Sequence, residues 1–115
     1  MNPETPSFEK ETSKEKIIEL IKANGLENPL TKELLADWVN GEMEKAEASD
    51  PTPALRITIQ VELAELLISA GEVVEGIEIL LEQLDVAEEE GFRSTDNDPR
   101  CAKLFEEIFA RLKSL

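Results

Sequence analysis

Apolar residues recur at every third or fourth position along most of the chain, and this spacing places them on one face of an α-helix. Such stripes predict helices over residues 12–24, 32–48 and 72–90, and a last helix from residue 99 onward. Short breaks rich in proline, glycine or asparagine separate them, as expected between helices that pack side by side. Together with residues 53–70, the pattern predicts an all-α fold of about five antiparallel helices.

Residues 53–70 carry two competing signals. Apolar and polar residues alternate over residues 55–63 and several are β-branched, as in a half-buried strand. The apolar positions continue beyond this stretch without a turn signal, however, and the unbroken length suits a helix that is buried on more than one side. Thr52 and Pro53 also form a helix start, with a capping hydroxyl and a proline at the first position. We therefore expect a helix.

The other helix ends carry local signals of their own. N-cap candidates stand at the starts of the first, second and fifth helices, at Thr12, Thr31 and Asp98. Glycines follow the first, third and fourth helices, at Gly25, Gly71 and Gly91. Residues 93–97 are predicted to be a loop. Gly41 lies inside the second helix, where we expect a close approach to a neighbour. Trp38 lies on the apolar face of the same helix and is predicted to belong to the core.

Residues 1–11 contain two prolines, little apolar content and no periodicity, which predicts a flexible N-terminal tail. Residues 12–115 are long enough for one domain that buries a core without disulfides or metal. Hydrophobic residues make up 41% of the chain, which is too many for a disordered polymer. A single all-helical domain is therefore expected after the tail.

Small and large residues follow a characteristic order within residues 57–90. After the pair Leu63-Ala64 come the large residue Leu67 and the turn glycine Gly71. The small residue Gly76 and the large residue Leu80 then follow in the next helix. In this order the segment resembles one tetratricopeptide repeat, a helix-turn-helix unit of about 34 residues. It departs from the family at the usual tryptophan, at a second small position and at the closing proline, where Gln60, Gln83 and Glu88 stand.

The resemblance implies a central helical hairpin with the last helix as a cap that buries its Phe105 and Phe109 side. In this family the first helix of each repeat lines a peptide-binding groove. The corresponding positions here are Thr58, Val61, Glu65, Ile68 and Ser69, and none of them is basic. The clamp for C-terminal carboxylates that some family members build from Lys, Arg and Asn is therefore not expected. An apolar groove with an acidic border, to which Glu72 and Glu75 would belong, instead suits a basic or amphipathic peptide.

The chain carries 26 acidic and 12 basic residues, for a formal net charge of −14. Nucleic acid and anionic membrane surfaces are therefore disfavoured partners, because phosphate groups would be repelled. Ten of the acidic residues fall between Ile57 and Phe92 with no Lys or Arg among them: Glu62, Glu65, Glu72, Glu75, Glu78, Glu82, Asp85, Glu88, Glu89 and Glu90. This acidic hairpin is predicted to be the functional surface.

The side chains of common catalytic and cofactor sites are missing from the sequence. There is no histidine and no tyrosine, so a Ser-His-Asp triad or a histidine metal site cannot be built. The glycines are isolated and form no phosphate-binding loop. The one cysteine, Cys101, lies on the apolar stripe of the last helix, where a buried structural thiol is expected. We therefore predict no cofactor and no catalysis, in a cytoplasmic protein without a membrane span or a targeting segment.

Two functions fit these observations. The first is a protein-interaction module, either an adaptor or a chaperone-like protein, that binds a basic or amphipathic segment of another protein. The second is an acidic decoy that presents ordered carboxylates to a basic cleft in place of nucleic acid. Added salt should abolish decoy binding and weaken groove binding far less.

Overall fold

The computed structural model describes residues 14–49, 52–95 and 97–115 of the chain. These residues form five α-helices, and no β-strand occurs among them. The helices are α1 (Lys14–Asn24), α2 (Pro29–Ser49), α3 (Pro53–Ser69), α4 (Val73–Glu88) and α5 (Pro99–Ser114), with a π-helical turn at Glu89–Arg93. The prediction of an all-α fold is confirmed, whereas the predicted tail and the Thr12 cap lie outside the described residues.

Helix α3 lies between the other helices and contacts them on two sides. It is helical throughout residues 55–63, so the helix interpretation of the alternating segment is confirmed. Ile57 and Ile59, which a helix sets about 200° apart, are both buried. The alternation arises because α3 packs against α4 and α5 on one side and against α1 and α2 on the other.

Two clusters of buried residues share α3. The C-terminal cluster joins α3 to α4 and α5 through Ala54, Ile57, Ala64, Leu80, Ala87, Cys101 and Ile108. The N-terminal cluster joins α3 to α1 through Ile17, Ile21, Leu66, Leu67 and Ala70. Trp38 of α2 packs against the N-terminal cluster, as predicted, and Ile79 of α4 packs against both clusters. The core is therefore continuous and centred on α3.

The backbones of α3 and α4 approach each other closely at Gly76. A Cβ atom at this position would lie 2.5 Å from Cγ1 of Ile68 and 2.8 Å from the carbonyl oxygen of Ala64. Gly71, in the short connection between the two helices, has a φ of +95°, which favours glycine. Small residues were predicted at these positions of the hairpin, and Leu80 on the facing stripe is fully buried, as expected for a core residue.

Side-chain caps begin α3 and α5 as predicted. Oγ1 of Thr52 accepts a hydrogen bond from the backbone N–H of Leu55 at 3.3 Å. Oδ1 of Asp98 accepts one from the backbone N–H of Arg100 at 2.9 Å, and a proline follows each cap. Hydrogen bonds from the side chain and backbone of Arg100 also hold the pKa of Asp98 below its ordinary value.

The predicted end of the fourth helix is wrong. Regular α-helix stops at Glu88, and the chain continues through a π-helical turn to Arg93, so the predicted loop begins later. Gly91 lies inside this turn, where a Cβ atom would come within 2.6 Å of the backbone nitrogen of Ala102. The wider turn brings the end of the hairpin into backbone contact with α5, and glycine permits that contact.

The prediction that α5 buries both Phe105 and Phe109 is wrong for the second residue. Cys101 and Ile108 make the buried stripe of α5, and Phe105 packs partly against it. Phe109 is 49% exposed. Phe109 is rotated by about 100° from Ile108 around the helix axis, so its ring points away from α3 and α4.

The predicted start of the second helix is also wrong. Helix α2 begins at Pro29, and Asn28 is its cap: Oδ1 of Asn28 accepts hydrogen bonds from the backbone N–H groups of Leu30 and Thr31 at 2.9 and 3.3 Å. Thr31, the predicted cap, is buried in the first turn, and its hydroxyl makes no hydrogen bond with any described residue. Burial of an unpaired hydroxyl costs free energy.

We therefore expect opposite effects from two neighbouring substitutions. Asn28→Ala removes the cap and should lower the free energy of unfolding by about 0.5–2 kcal/mol. Thr31→Val keeps the shape and removes the unpaired hydroxyl, so stability should be unchanged or rise by up to about 1 kcal/mol. Urea denaturation followed by circular dichroism measures both. A larger loss for Thr31→Val than for Asn28→Ala would show that Thr31 is the cap after all.

The two glycines within the helices should also respond differently to alanine. Apart from the backbone of α2 itself and the residues adjacent to Gly41, no described atom lies within 4 Å of a Cβ at this position, so the close approach predicted there is wrong. Gly41→Ala should therefore stabilise the protein by about 0.5–1 kcal/mol. Gly76→Ala should destabilise it by about 1–3 kcal/mol, because Ile68 and the α3 backbone must move. Thermal unfolding of the two variants provides a matched comparison. Equal shifts in melting temperature would contradict the close packing of α3 and α4.

Candidate functional site

A long apolar groove runs between α2 and α4 with α3 as its floor. One part is a cleft of about 360 Å³, and its apolar lining consists of Leu26, Leu35, Leu63, Leu67 and Ile79. An adjoining cleft of about 380 Å³ shares Leu26, Leu35 and Leu63 and adds Lys32, Ala36, Val39 and Asn40 of α2. Because the two clefts share three lining residues, they are parts of one surface, here named the α2–α4 groove.

The α4 side of the groove is acidic. Glu75, Glu78 and Glu82 line it, and their spacing of three and four residues places them in one row along α4. All three are exposed, and none forms an ion pair with a described residue. The three carboxylates are therefore available to a partner.

The α2 side of the groove has a different character. Ala36, Val39 and Asn40 contribute uncharged surface, and the one charged side chain lining this part is Lys32. Nζ of Lys32 lies 3.3 Å from a carboxylate oxygen of Glu27, so much of its charge is balanced locally. The groove thus combines an apolar floor with negative charge along one edge.

Three of the residues predicted to line a binding face lie on the side of α3 that faces α5 instead. The hydroxyl of Thr58 donates a hydrogen bond to the carbonyl oxygen of Ala54 at 2.9 Å, and Val61 packs against the C-terminal cluster. Glu65 accepts two hydrogen bonds from the guanidinium of Arg111, at 2.7 and 2.8 Å. This pair raises the pKa of Arg111 further above its ordinary value, since it stabilises the charged form. Helix α5 therefore covers this part of α3.

The other four predicted residues are spread around the hairpin. Ile68 packs against the C-terminal cluster and contacts the Gly76 position, so it belongs to the α3–α4 interface. Ser69 is exposed at the end of α3, and Glu72 lies half-buried at the start of α4 without a side-chain capping bond. Of the seven predicted residues, Glu75 alone lines the α2–α4 groove.

Sequence reasoning missed most of the groove. Glu78 and Glu82 belonged to the predicted acidic hairpin, and their helical spacing from Glu75 was visible in the sequence. Leu35 lies in the second predicted helix and Leu63 in the pair that carries the repeat resemblance, so the sequence assigns them to separate helices. Their meeting in one groove depends on how α2 packs against α3, and no local pattern encodes that.

A second cleft, of about 300 Å³, lies between the first turns of α3 and α5. Thr52, Thr58 and Arg100 line it with polar groups that are already engaged in a helix cap, a backbone hydrogen bond and an ion pair, whereas Lys103 and Glu107 line it as exposed side chains. Each part of the α2–α4 groove is larger than this cleft, and the groove adds a row of three like charges to a continuous apolar floor. The α2–α4 groove is therefore the better candidate site.

The prediction of a buried thiol at Cys101 is confirmed, because its side chain has no solvent exposure. Burial raises the pKa of the thiol above its ordinary value, and the negative charges of Asp98 and Glu90 raise it further. A raised pKa keeps the thiol protonated at neutral pH, and the protonated form is a poor nucleophile. Within the described ranges, no three or more His, Cys, Asp or Glu side chains are grouped so as to hold a metal ion, and no helix has the length and apolarity to cross a membrane.

We expect Cys101 of the folded protein to react with iodoacetamide at least about 100-fold more slowly than in the chain unfolded by urea, since attack requires local opening of the core. Raising the pH from 7 to about 8.5 should accelerate alkylation of the unfolded chain, because its thiolate fraction grows. Alkylation of the folded chain should be accelerated much less. Mass spectrometry of quenched samples gives both rates. Similar rates in the two states would place Cys101 outside the core.

Comparisons with known proteins leave the function to be argued from this geometry. No protein-family model, curated protein or solved structure matches the chain. The likeness of residues 57–90 to a tetratricopeptide repeat therefore stays a prediction. The strongest physical evidence on function is the α2–α4 groove and its row of three glutamates.

Proposed function

We propose that this chain is a protein-interaction module, and that its α2–α4 groove holds an amphipathic helix from another protein. The observation that carries the proposal is a row of exposed glutamates, Glu75, Glu78 and Glu82, which pair with no described residue and lie beside an apolar floor. A helix with an apolar face would fill the floor, and Lys or Arg along one flank would meet the glutamates. Recognition of this kind requires no catalysis and no cofactor.

The floor and the edge of the groove would contribute in different ways. Burial of apolar surface yields about 25 cal/mol per Å² and would supply most of the affinity. Exposed ion pairs contribute about 0–1 kcal/mol each, so the glutamates would mainly speed association and orient the bound helix. Because the α2 edge is nearly uncharged, the bound helix should carry its basic residues on one flank only.

A tetratricopeptide-like organisation remains part of the proposal. The close packing of α3 and α4 at Gly76 supports it, because such repeats place small residues where their two helices meet. The face of α3 that such repeats use for peptides lies against α5 here, through the pair of Glu65 and Arg111. We therefore place the binding surface on the α4 side of the hairpin. A cytoplasmic location agrees with the single, unpaired cysteine.

The test uses a fluorescent synthetic helix of leucines and alanines with three lysines on one flank, spaced to meet the three glutamates. Replacing Glu75, Glu78 and Glu82 together by Gln should weaken its binding by about 10-fold at low salt, since three exposed pairs of about 0.5 kcal/mol are lost. The matched control replaces Glu19, Glu44 and Glu89 by Gln, which changes the net charge equally at exposed positions outside the groove. Its effect should be less than about twofold.

The same titrations distinguish the groove from a decoy of nucleic acid. Groove binding should show a negative heat-capacity change and persist at moderate salt, because apolar contact supplies most of the affinity. If both triple variants lost affinity equally and binding vanished with added salt, the attraction would be a general property of an acidic protein. The decoy function would then replace the one proposed.

A further inference from the structure

Three of the four phenylalanines in the chain form an exposed stack at the α5 end of the molecule. The rings of Phe92 and Phe105 meet edge to face with centroids 5.4 Å apart, and those of Phe105 and Phe109 lie parallel at 6.3 Å. Phe92 is 50% exposed and Phe109 nearly as much. In this aromatic patch, comprising Phe92, Phe105 and Phe109, Phe105 is partly buried against the C-terminal cluster, and the described part of the chain leaves about half of Phe92 and of Phe109 exposed.

Charges of opposite sign border the aromatic patch along α5. Glu106 and Lys113 are both exposed and lie seven residues apart, so a helix sets them on one line within about 20° of each other. Lys113 also lies over the ring of Phe109, with Nζ 5.4 Å from its centroid. The two charged residues therefore follow the same flank of the patch, one toward each end of α5.

This arrangement is complementary to itself. Glu106 and Lys113 are equally far from the midpoint between Phe109 and Ala110. If a second α5 lies antiparallel to the first about that midpoint, Glu106 of each copy faces Lys113 of the other, and the two Phe109 rings meet beside the axis. A two-fold symmetric contact needs such a surface, because the same patch must supply both halves.

The charge distribution favours this end of the molecule over the others. Helix α5 carries four basic residues against two acidic ones: Arg100, Lys103, Arg111 and Lys113, and Glu106 and Glu107. Helix α4 carries five acidic residues and no basic one: Glu75, Glu78, Glu82, Asp85 and Glu88. Two copies with a net charge of −14 each would repel strongly through α4 and much less through α5.

We propose that the chain forms a two-fold symmetric homodimer through antiparallel α5 helices, with the Phe109 rings of the aromatic patch beside its axis and two Glu106–Lys113 ion pairs at its edge. The interface is small, so the dimer is weak and its population depends on protein concentration. It leaves the α2–α4 groove of each copy open. The proposal does not depend on the function proposed for that groove.

Sedimentation equilibrium over protein concentrations from about 10 µM to 1 mM, the range in which small interfaces associate, tests the patch. The 115-residue chain should pass from a mass of 12.8 kDa toward twice that value. Phe109→Ser should weaken dimerisation at least 10-fold. Val74→Ser, which removes an exposed apolar side chain from α4, should leave it unchanged. Both positions are exposed, and circular dichroism confirms that each variant is folded.

A charge exchange tests the register. Glu106→Lys alone puts two pairs of lysines face to face in the dimer, and Lys113→Glu alone puts two pairs of glutamates face to face, so each variant should be monomeric. A mixture of the two variants pairs every lysine with a glutamate and should restore a dimer that contains one copy of each. Different isotope labels on the two variants identify this mixed species by native mass spectrometry.

Three results would overturn the proposal. The first is a wild-type chain that stays monomeric throughout the concentration range. The second is a loss of dimer for Val74→Ser that equals the loss for Phe109→Ser, which would place the contact on another surface. The third is the absence of a mixed dimer from the two charge variants, which would rule out the antiparallel register.

Discussion

The burial of α3 on two sides is the constraint on which the rest of the structure depends. Ile57 and Ala64 join it to α4 and α5, and Leu66 and Leu67 join it to α1. The buried residues of α1 and those of α5 lie in different clusters, and α3 is the helix that contributes buried residues to both. Without α3, each cluster would be exposed on one side. An apolar helix of this kind cannot be stable alone in water, so the outer helices and α3 must fold together. The α2–α4 groove follows from the same constraint, since its floor is formed by Leu63 and Leu67 of α3, at the edge of the N-terminal cluster.

Much of this architecture is encoded locally. Where a capping side chain and a proline stand together, as at Thr52 and Asp98, the helix starts at the predicted residue. Asn28 and Pro29 carry the same local signal and begin α2, so the error at Thr31 did not come from a lack of sequence information. The end of α4, in contrast, depends on contact with another helix, since Gly91 continues into a π-helical turn that packs on Ala102. That contact is not encoded in the sequence of α4 itself.

The candidate site shows the same division. The acidic row of Glu75, Glu78 and Glu82 follows from helical spacing within one segment, and the concentration of charge in that hairpin was evident from the sequence. The apolar wall that Leu26 and Leu35 supply comes from residues about 40 to 56 positions away, and only the packing of the preceding helices against α3 brings it there. A binding surface shared between distant segments cannot be derived from the pattern of either one.

Helix α5 is held at both of its ends, by backbone contact between Ala102 and Gly91 and by the two hydrogen bonds from Arg111 to Glu65. Because the two attachments are more than two turns apart, rolling of α5 about its own axis or swinging away from the hairpin would break at least one of them. The outward direction of the Phe109 ring is consequently set before any encounter. A surface already in its bound orientation loses little conformational entropy on association, so even a small apolar area there can yield measurable affinity.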